Sequence, residues 1–304
     1  MPKLKLQQLH DRLTDTVFGA QEPARMLLIA LLAKGHALIE GPPGIGKTSI
    51  AHALASGMGG TFKRIQFTPD LLPSDILGYN LYRPHTSDFE FVAGPVFANC
   101  VLADEINRTS PRVQSALLEV MNEQQVTIDG ATRVLEPPFM VIATQNSGSI
   151  IGTFPLPEPQ LDRFLLSISM ALPNQDMQQQ ILEAHADGIS ERMEEAPLLR
   201  PEDIIELQSK VLSIAVSSEL NRYVVSLCET LRRHAGGEHT VSVRASIALL
   251  RASQAMALID DETAVLPDHV QAMFSHVMRH RVLCEDGRDS EVVIREVLEQ
   301  TRVS

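Results

Sequence analysis

Gly41, Pro42, Pro43, Gly44, Ile45, Gly46, Lys47 and Thr48 run consecutively, followed by Ser49. They satisfy every fixed position of the phosphate-binding pattern G-x-x-x-x-G-K-[ST]. The glycines let the backbone curl so that its N–H groups face phosphate oxygens, and a following helix adds its positive end. In this chemistry Lys47 reaches the β- and γ-phosphates, and Thr48 offers a hydroxyl to Mg²⁺. A second run supplies acids. Asn99-Cys100-Val101-Leu102-Ala103 is apolar and is followed by Asp104-Glu105. Carboxylates at the end of a buried strand are costly unless they serve an ion. Asp104 is therefore the candidate Mg²⁺ ligand, through water, and Glu105 the group that polarises an attacking water.

These residues need a scaffold. His36-Ala37-Leu38-Ile39-Glu40 predicts a strand before the glycine-rich turn, and Ser49–Ala55 a helix after it. Strand, turn and helix is the context the phosphate pattern requires. Residues 22–34 read as a helix, with Leu27, Leu28, Leu31 and Leu32 apolar. Strands are predicted near 36–40, 63–67, 99–103, 139–144 and 164–168. With helical segments between several of them, this is an α/β domain on a five-stranded parallel sheet. Beyond Leu172-Pro173 the periodicity becomes helical, over 175–186, 201–212, 218–233, 243–258 and 267–280. Asn174, Ser218 and Ser242 are the expected caps there, and Pro201 opens a first turn. The expected domains are an α/β nucleotide-binding domain over 1–172 and a small all-α domain over 173–304. Phe67–Pro95 reads as a loop-rich insertion, and Val126–Val134, with Asp129-Gly130 at its centre, as a β-hairpin.

The whole chain narrows the function classes. Its 304 residues leave room for two domains. A net charge of −12 argues against a nucleic-acid partner, which would call for a basic stripe. No apolar run approaches the length of a membrane span. The residues 1–13 lack a signal-peptide core. Cys100, Cys228 and Cys284 lie far apart, so reduced thiols and a cytoplasmic location are expected.

Two later segments extend the constellation. Phe139–Asn146 reads as a buried strand ending in Asn146, a candidate to hold the nucleophilic water or the γ-phosphate. Gln160-Leu161-Asp162-Arg163-Phe164 places an arginine just before the last strand. With Gly41–Thr48, Arg64–Asp75, Ala103–Arg108, Ala143–Asn146, Leu161–Phe164 and Arg279-His280-Arg281, the chain resembles a MoxR-family AAA+ ATPase from about Gly19 to Arg281. The run Gln66-Phe67-Thr68-Pro69-Asp70-Leu71-Leu72-Pro73-Ser74-Asp75 with Asp104-Glu105-Ile106-Asn107-Arg108 is far more selective than the phosphate loop. The resemblance implies an AAA+ domain followed by a helical lid, a helix-2 insert at 67–95 and a hairpin before sensor 1 at 126–134. Asn146 corresponds to sensor 1, Arg163 to the arginine finger that reaches the neighbouring subunit's γ-phosphate, and Arg244 to sensor 2. It also implies ATP and Mg²⁺ as cofactors, a homo-oligomeric ring hexamer, and chaperone-like remodelling or metal-insertion work with a von Willebrand factor A domain partner. Arg108 is expected to face the subunit boundary.

Three departures stand out. Gly19-Ala20-Gln21-Glu22 replaces the family's Gly-Gln-Glu beside the adenine. Thr240-Val241-Ser242-Val243-Arg244 lacks the glycine of the sensor-2 motif. Ser147 follows Asn146 where proline is common. Bland readings compete as well. Arg163 could be a surface ion-pair residue, and Arg244 a solvated residue near a helix start. His276, His280 and Cys284 could form part of a zinc site, though capping or core histidines need fewer assumptions. Pro155–Pro159 suits a rigid loop better than a proline-rich ligand. The competing functions are a magnesium-chelatase-like motor subunit, an ATP-assembled scaffold without turnover, and a DNA motor. The intact Lys47, Asp104, Glu105, Asn146 and Arg163 speak against the scaffold.

Overall fold

The protein is described here from a computed structural model, which describes residues 2–17, 19–146, 152–186, 196–235, 241–282 and 288–303. Its elements run α1 (Pro2–Thr16), α2 (Gln21–Leu32), β1 (Ala37–Glu40), α3 (Lys47–Met58), β2 (Phe62–Gln66), α4 (Pro73–Leu77), β3 (Gly78–Arg83), β4 (Asp88–Ala93) and β5 (Cys100–Asp104). A 3₁₀ turn, Ile106–Arg108, leads to α5 (Pro111–Glu123), β6 (Gln125–Ile128), β7 (Ala131–Val134), β8 (Met140–Gln145), α6 (Glu158–Leu161) and β9 (Leu166–Ser169). Helices then follow without strands: α7 (Gln175–Ala186), α8 (Pro201–Ser213), α9 (Ser218–Ala235), α10 (Val243–Ile259), α11 (Pro267–Met278) and α12 (Ser290–Gln300).

Five strands form one sheet in the order β2-β5-β8-β1-β9. All five residues of β5 are buried, as are the first five of β8. A strand covered on both faces can carry such an unbroken apolar run. The β2–β5 and β5–β8 pairings are parallel, with Gln66 opposite Asp104 and Ala103 opposite Ala143. The carboxyl ends of β5 and β8 therefore lie side by side, and β1 lies next to β8. An open α/β sheet collects its ligands at this edge, where strand order switches.

The chain divides into two compact units. One comprises Met1–Arg25, Leu38–Leu156 and Ser169–Ile205, and the other Met26–Ala37, Pro157–Ile168 and Glu206–Ser304. In the first, α3 buries Ile50, Leu54 and Met58 on one stripe, and α5 buries Val113, Leu117, Leu118 and Met121. Each buried aliphatic side chain contributes roughly 1.5–3 kcal/mol. In the second, α9 buries Leu220, Tyr223, Val224, Leu227 and Leu231. The Ala-rich face of α10 lets α11 approach closely.

Two expectations need correction. The segment expected to be loop-rich folds into α4 and an antiparallel β3–β4 hairpin. Its strands carry exposed Tyr79, Tyr82 and Phe89, so no buried face marks them in sequence. The cap of α9 is Ser217, whose Oγ accepts from Leu220 N at 3.1 Å, rather than Ser218. Asn174 and Ser242 do cap α7 and α10, accepting from Met177 N and Ala245 N. The β6–β7 pair turns through Asp129 and Gly130, both at positive φ.

Candidate functional site

The glycine-rich turn joins β1 to α3. Gly46 caps α3 at φ 88° and Gly44 adopts φ 80°, conformations costly for any residue with a Cβ. A Cβ on Gly44 would point into open space, so the backbone in front of the helix N-terminus stays clear for a ligand. Lys47, the first residue of α3, is only 7% exposed. Burial lowers its pKa, while the carboxylates of Asp104 and Glu105 oppose that shift. Its Nζ donates to Gly41 O at 2.6 Å, Asn146 Oδ1 at 2.7 Å and Gln145 O at 3.4 Å. An ammonium with three donors aimed at oxygen acceptors suits phosphate oxygens equally well.

The acids stand opposite. Asp104 ends β5. Its Oδ1 accepts from Thr144 Oγ1 at 2.7 Å, and its Oδ2 lies 3.5 Å from Thr48 Oγ1. Asp104 Oδ2 also accepts from Arg64 Nη2 at 2.6 Å, an ion pair from the adjacent strand. Glu105 follows at φ 57°, an uncommon conformation for a non-glycine residue. It is held there by Thr144 Oγ1, which accepts from Glu105 N at 2.9 Å. Backbone strain of this kind concentrates at functional sites. The Glu105 carboxylate accepts from Asn146 Nδ2 at 2.5 Å, Gln66 Nε2 at 3.2 Å and Arg108 Nη1 at 3.0 Å.

Asn146 is thus the link between the two halves. Its carbonyl oxygen faces the Lys47 ammonium and its amide nitrogen faces the Glu105 carboxylate. Reversing the amide would set donor against donor and acceptor against acceptor. The structure brings together Lys47, Thr48, Asp104, Glu105 and Asn146, as the sequence predicts. It adds Thr144, Arg64 and Gln66. For Arg64 and Gln66 the signal is the alternation on β2, which turns both to one face beside the end of β5; Thr144 lies on β8. Arg108 Nη1 pairs with Glu105 Oε2 at 3.0 Å, and its side chain stays half exposed. Pro42, Pro43 and Ile45 shape the turn, and Ser49 lies within the first turn of α3.

Next to Gly44–Gly46 opens a cavity of about 1270 Å³. Asp11, Asp15 and Glu22 line it, together with the departing pair Gly19-Ala20 and Met177 of α7. It exceeds the roughly 300–1,000 Å³ usual for small-ligand pockets.

Arg163 and Arg244 belong to the second unit. Arg163 sits between α6 and β9, half-buried, and its guanidinium has no hydrogen-bond or ion-pair partner among the described residues. Arg244 is the second residue of α10, just after the Ser242 cap. Among the described residues no group of His, Cys, Asp and Glu could hold a metal by itself. His280 is buried, and its Nε2 donates to Phe164 O at 3.3 Å. Ser147, Thr240 and Cys284 lie outside the described residues. Burial pushes the Cys100 thiol up to about 12, so it is an inert core residue. No helix among the described residues is long and apolar enough to cross a membrane.

The donor set fits Mg²⁺ and a polyphosphate. Thr48 and Asp104 present hard oxygen atoms, Mg²⁺ commonly keeps waters beside one or two carboxylates, and Lys47 faces the same space.

The sequence profile of the ATPase family associated with various cellular activities (AAA) matches residues 36–166, and that of the AAA lid domain matches 229–300. The Bacillus subtilis protein YeaC, itself uncharacterized, is 43% identical over 96% of this chain and 93% of its own. Chaperone MoxR1 of Mycobacterium tuberculosis is 38% identical, covering 93% of this chain and 78% of the relative. Protein MoxR of Methylorubrum extorquens is 30% identical, covering 90% and 86%. The solved structure of a candidate ATPase from Cytophaga hutchinsonii superposes with a TM-score of 0.89 at 34% identity, covering 100% of this chain and 96% of that one.

Proposed function

Because this chain belongs to the MoxR family of AAA+ ATPases, we propose that it hydrolyses ATP within a homo-oligomeric ring and uses the cycle to remodel a partner protein. The observation that carries this reading is Asn146, bonded at once to the Lys47 ammonium and the Glu105 carboxylate. One amide spans the group that would hold the γ-phosphate and the group that would activate water.

In this reading 1–172 form the nucleotide domain and 173–304 the lid, a division supported by the lid-profile match at 229–300. Phosphates lie at the N-terminus of α3, against the backbone N–H groups of 44–49 and the Lys47 ammonium. Thr48 and Asp104 would hold Mg²⁺, which would supply charge neutralisation for the phosphates. Arg64 Nη2 also donates to Asp104 Oδ2, at 2.6 Å. Glu105 takes a proton from water as the water oxygen attacks the γ-phosphorus and the bond to the ADP oxygen breaks. Asn146 orients that water, and Arg244 acts on the phosphates from the lid. Arg163 serves the neighbouring subunit's γ-phosphate. The cavity beside Gly19-Ala20 takes the base. The partner is a protein, with a von Willebrand factor A domain as the class the family suggests, and the setting is cytoplasmic. Metal insertion into that partner is one outcome such remodelling would serve.

Lys47→Ala is expected to abolish tight ATP binding in titration calorimetry. Backbone N–H groups alone cannot neutralise the triphosphate, and the alanine leaves Gly41 O and Asn146 Oδ1 without their donor. Near wild-type affinity in this variant would remove Lys47 from the site. Assembly should also depend on nucleotide. Mass photometry is expected to show rings, hexamers in the family's pattern, with ATP and Mg²⁺ and smaller species without them. Monomers at every concentration with Mg·ATP would count against the ring.

A further inference from the structure

The motif Arg279-His280-Arg281 helps carry the resemblance but has no part in the ATP chemistry above. The structure shows Arg281 at 3% exposed, just beyond α11. A guanidinium has five N–H donors, and here each has an acceptor. Nε donates to Asp162 Oδ1 at 2.9 Å. Nη1 donates to Leu165 O at 3.1 Å and to Val277 O, and Nη2 to Asp162 O at 3.3 Å and to Phe164 O. Three of the five acceptors are the backbone carbonyls of Asp162, Phe164 and Leu165, on either side of Arg163. His280 adds a bond to the Phe164 carbonyl. Of this stretch, only the Arg163 side chain is left unengaged among the described residues.

Asp162 carries the brace further. Its second carboxylate oxygen accepts from Ser242 Oγ at 2.9 Å. The same hydroxyl caps α10 by accepting from Ala245 N at 3.1 Å. Arg244 lies two residues beyond that cap.

Burying a guanidinium is expensive, and a buried ion pair is often no more stabilising than apolar residues of the same volume. Packing alone therefore does not account for an arginine here. A planar fork that fixes three carbonyls around one residue does have a use where that residue must be delivered accurately, since catalytic groups need placement within about 0.5 Å. We propose that Arg281 and Asp162 are positioning residues for Arg163. They hold the backbone on both sides of it and, through Ser242, tie it to the start of the helix that carries Arg244. The proposal rests on the reading of Arg163 as a finger acting on a neighbouring subunit, and the test separates the two.

The experiment is complementation in mixed rings, read as kcat at saturating ATP. Lys47→Ala subunits lack a working site but keep their finger, and Arg163→Ala subunits have the reverse defect. Mixing these two is the control and should restore turnover. Arg281→Met alone should keep ATP affinity near wild type and lose ~10²-fold in kcat, the scale of a small misplacement of a catalytic group. It should regain turnover when mixed with Lys47→Ala and gain none with Arg163→Ala. Arg281→Lys, which keeps the charge on Asp162 but not the fork, should fall between wild type and Arg281→Met. If Arg281→Met does not fold, Asp162→Asn is tested in the same way with the same expectation. Three results overturn the proposal alone, given a working control. One is full activity of these variants by themselves, another is recovery with Arg163→Ala, and the last is no recovery with Lys47→Ala. A control that stays inactive in rings proven to be mixed overturns the trans reading and the proposal with it.

Discussion

Rings of Arg163→Ala subunits are expected to turn over ATP ~10³–10⁵-fold more slowly than wild type, the range an arginine finger supplies by stabilising charge on the transferring phosphoryl group. ATP affinity should hardly change, because the proposed function assigns ground-state binding to Lys47 and the backbone of 44–49. A loss confined to kcat marks an interaction made only in the transition state. The structural grounds are the half-buried Arg163 guanidinium, which has no ion-pair partner among the described residues, and the fixed backbone beside it. An ordinary surface ion-pair arginine would cost far less, since exposed pairs contribute at most about 1 kcal/mol. Phosphate release by the purified variant decides the matter. A change of only a few-fold would return Arg163 to the surface class.

Glu105→Gln is expected to bind ATP and hydrolyse it at least ~10²-fold more slowly, the usual scale for a positioned general base. The amide preserves shape and can still accept from Gln66 or Asn146, but it cannot take a proton. The variant should trap the ATP state, which single-turnover quench kinetics would detect as bound, uncleaved nucleotide. Retained turnover would move the base to another residue. The structure provides a reason to expect a sharp effect. Glu105 is held at φ 57° by Thr144 and its carboxylate is ringed by Asn146, Gln66 and Arg108. A side chain positioned at the expense of backbone strain is poorly explained as a solvated acid.

Much of this site could be read from residue order because the chemistry is local. The phosphate loop needs glycine, lysine and threonine at fixed offsets. The acids need the end of an apolar run. The five predicted strands, 36–40, 63–67, 99–103, 139–144 and 164–168, match β1, β2, β5, β8 and β9 to within a residue or two at each end. Buried parallel strands declare themselves through composition. What residue order does not show depends on long-range pairing or on strands with no buried face. The Arg64–Asp104 ion pair exists because β2 lies beside β5, an adjacency that neither segment encodes alone. The β3–β4 hairpin escaped because both of its faces keep exposed residues and its turn, Pro84–Ser87, lacks a two-residue signature. Arg281 is visible as part of a motif, but apart from Val277 its partners lie 116 to 119 residues away. A buried polar network of that separation has no periodicity to reveal it.

In the proposed function this chain is itself a Mg²⁺-dependent ATPase. The most direct test is phosphate release by the purified wild-type chain with ATP, at concentrations where rings form, with and without Mg²⁺. Steady turnover is expected with Mg²⁺, rising more steeply than linearly with chain concentration as rings assemble, and turnover should be lost on chelation. Stoichiometric ATP binding in assembled rings with Mg²⁺ and no phosphate released would contradict it, and would make the chain an ATP-assembled scaffold.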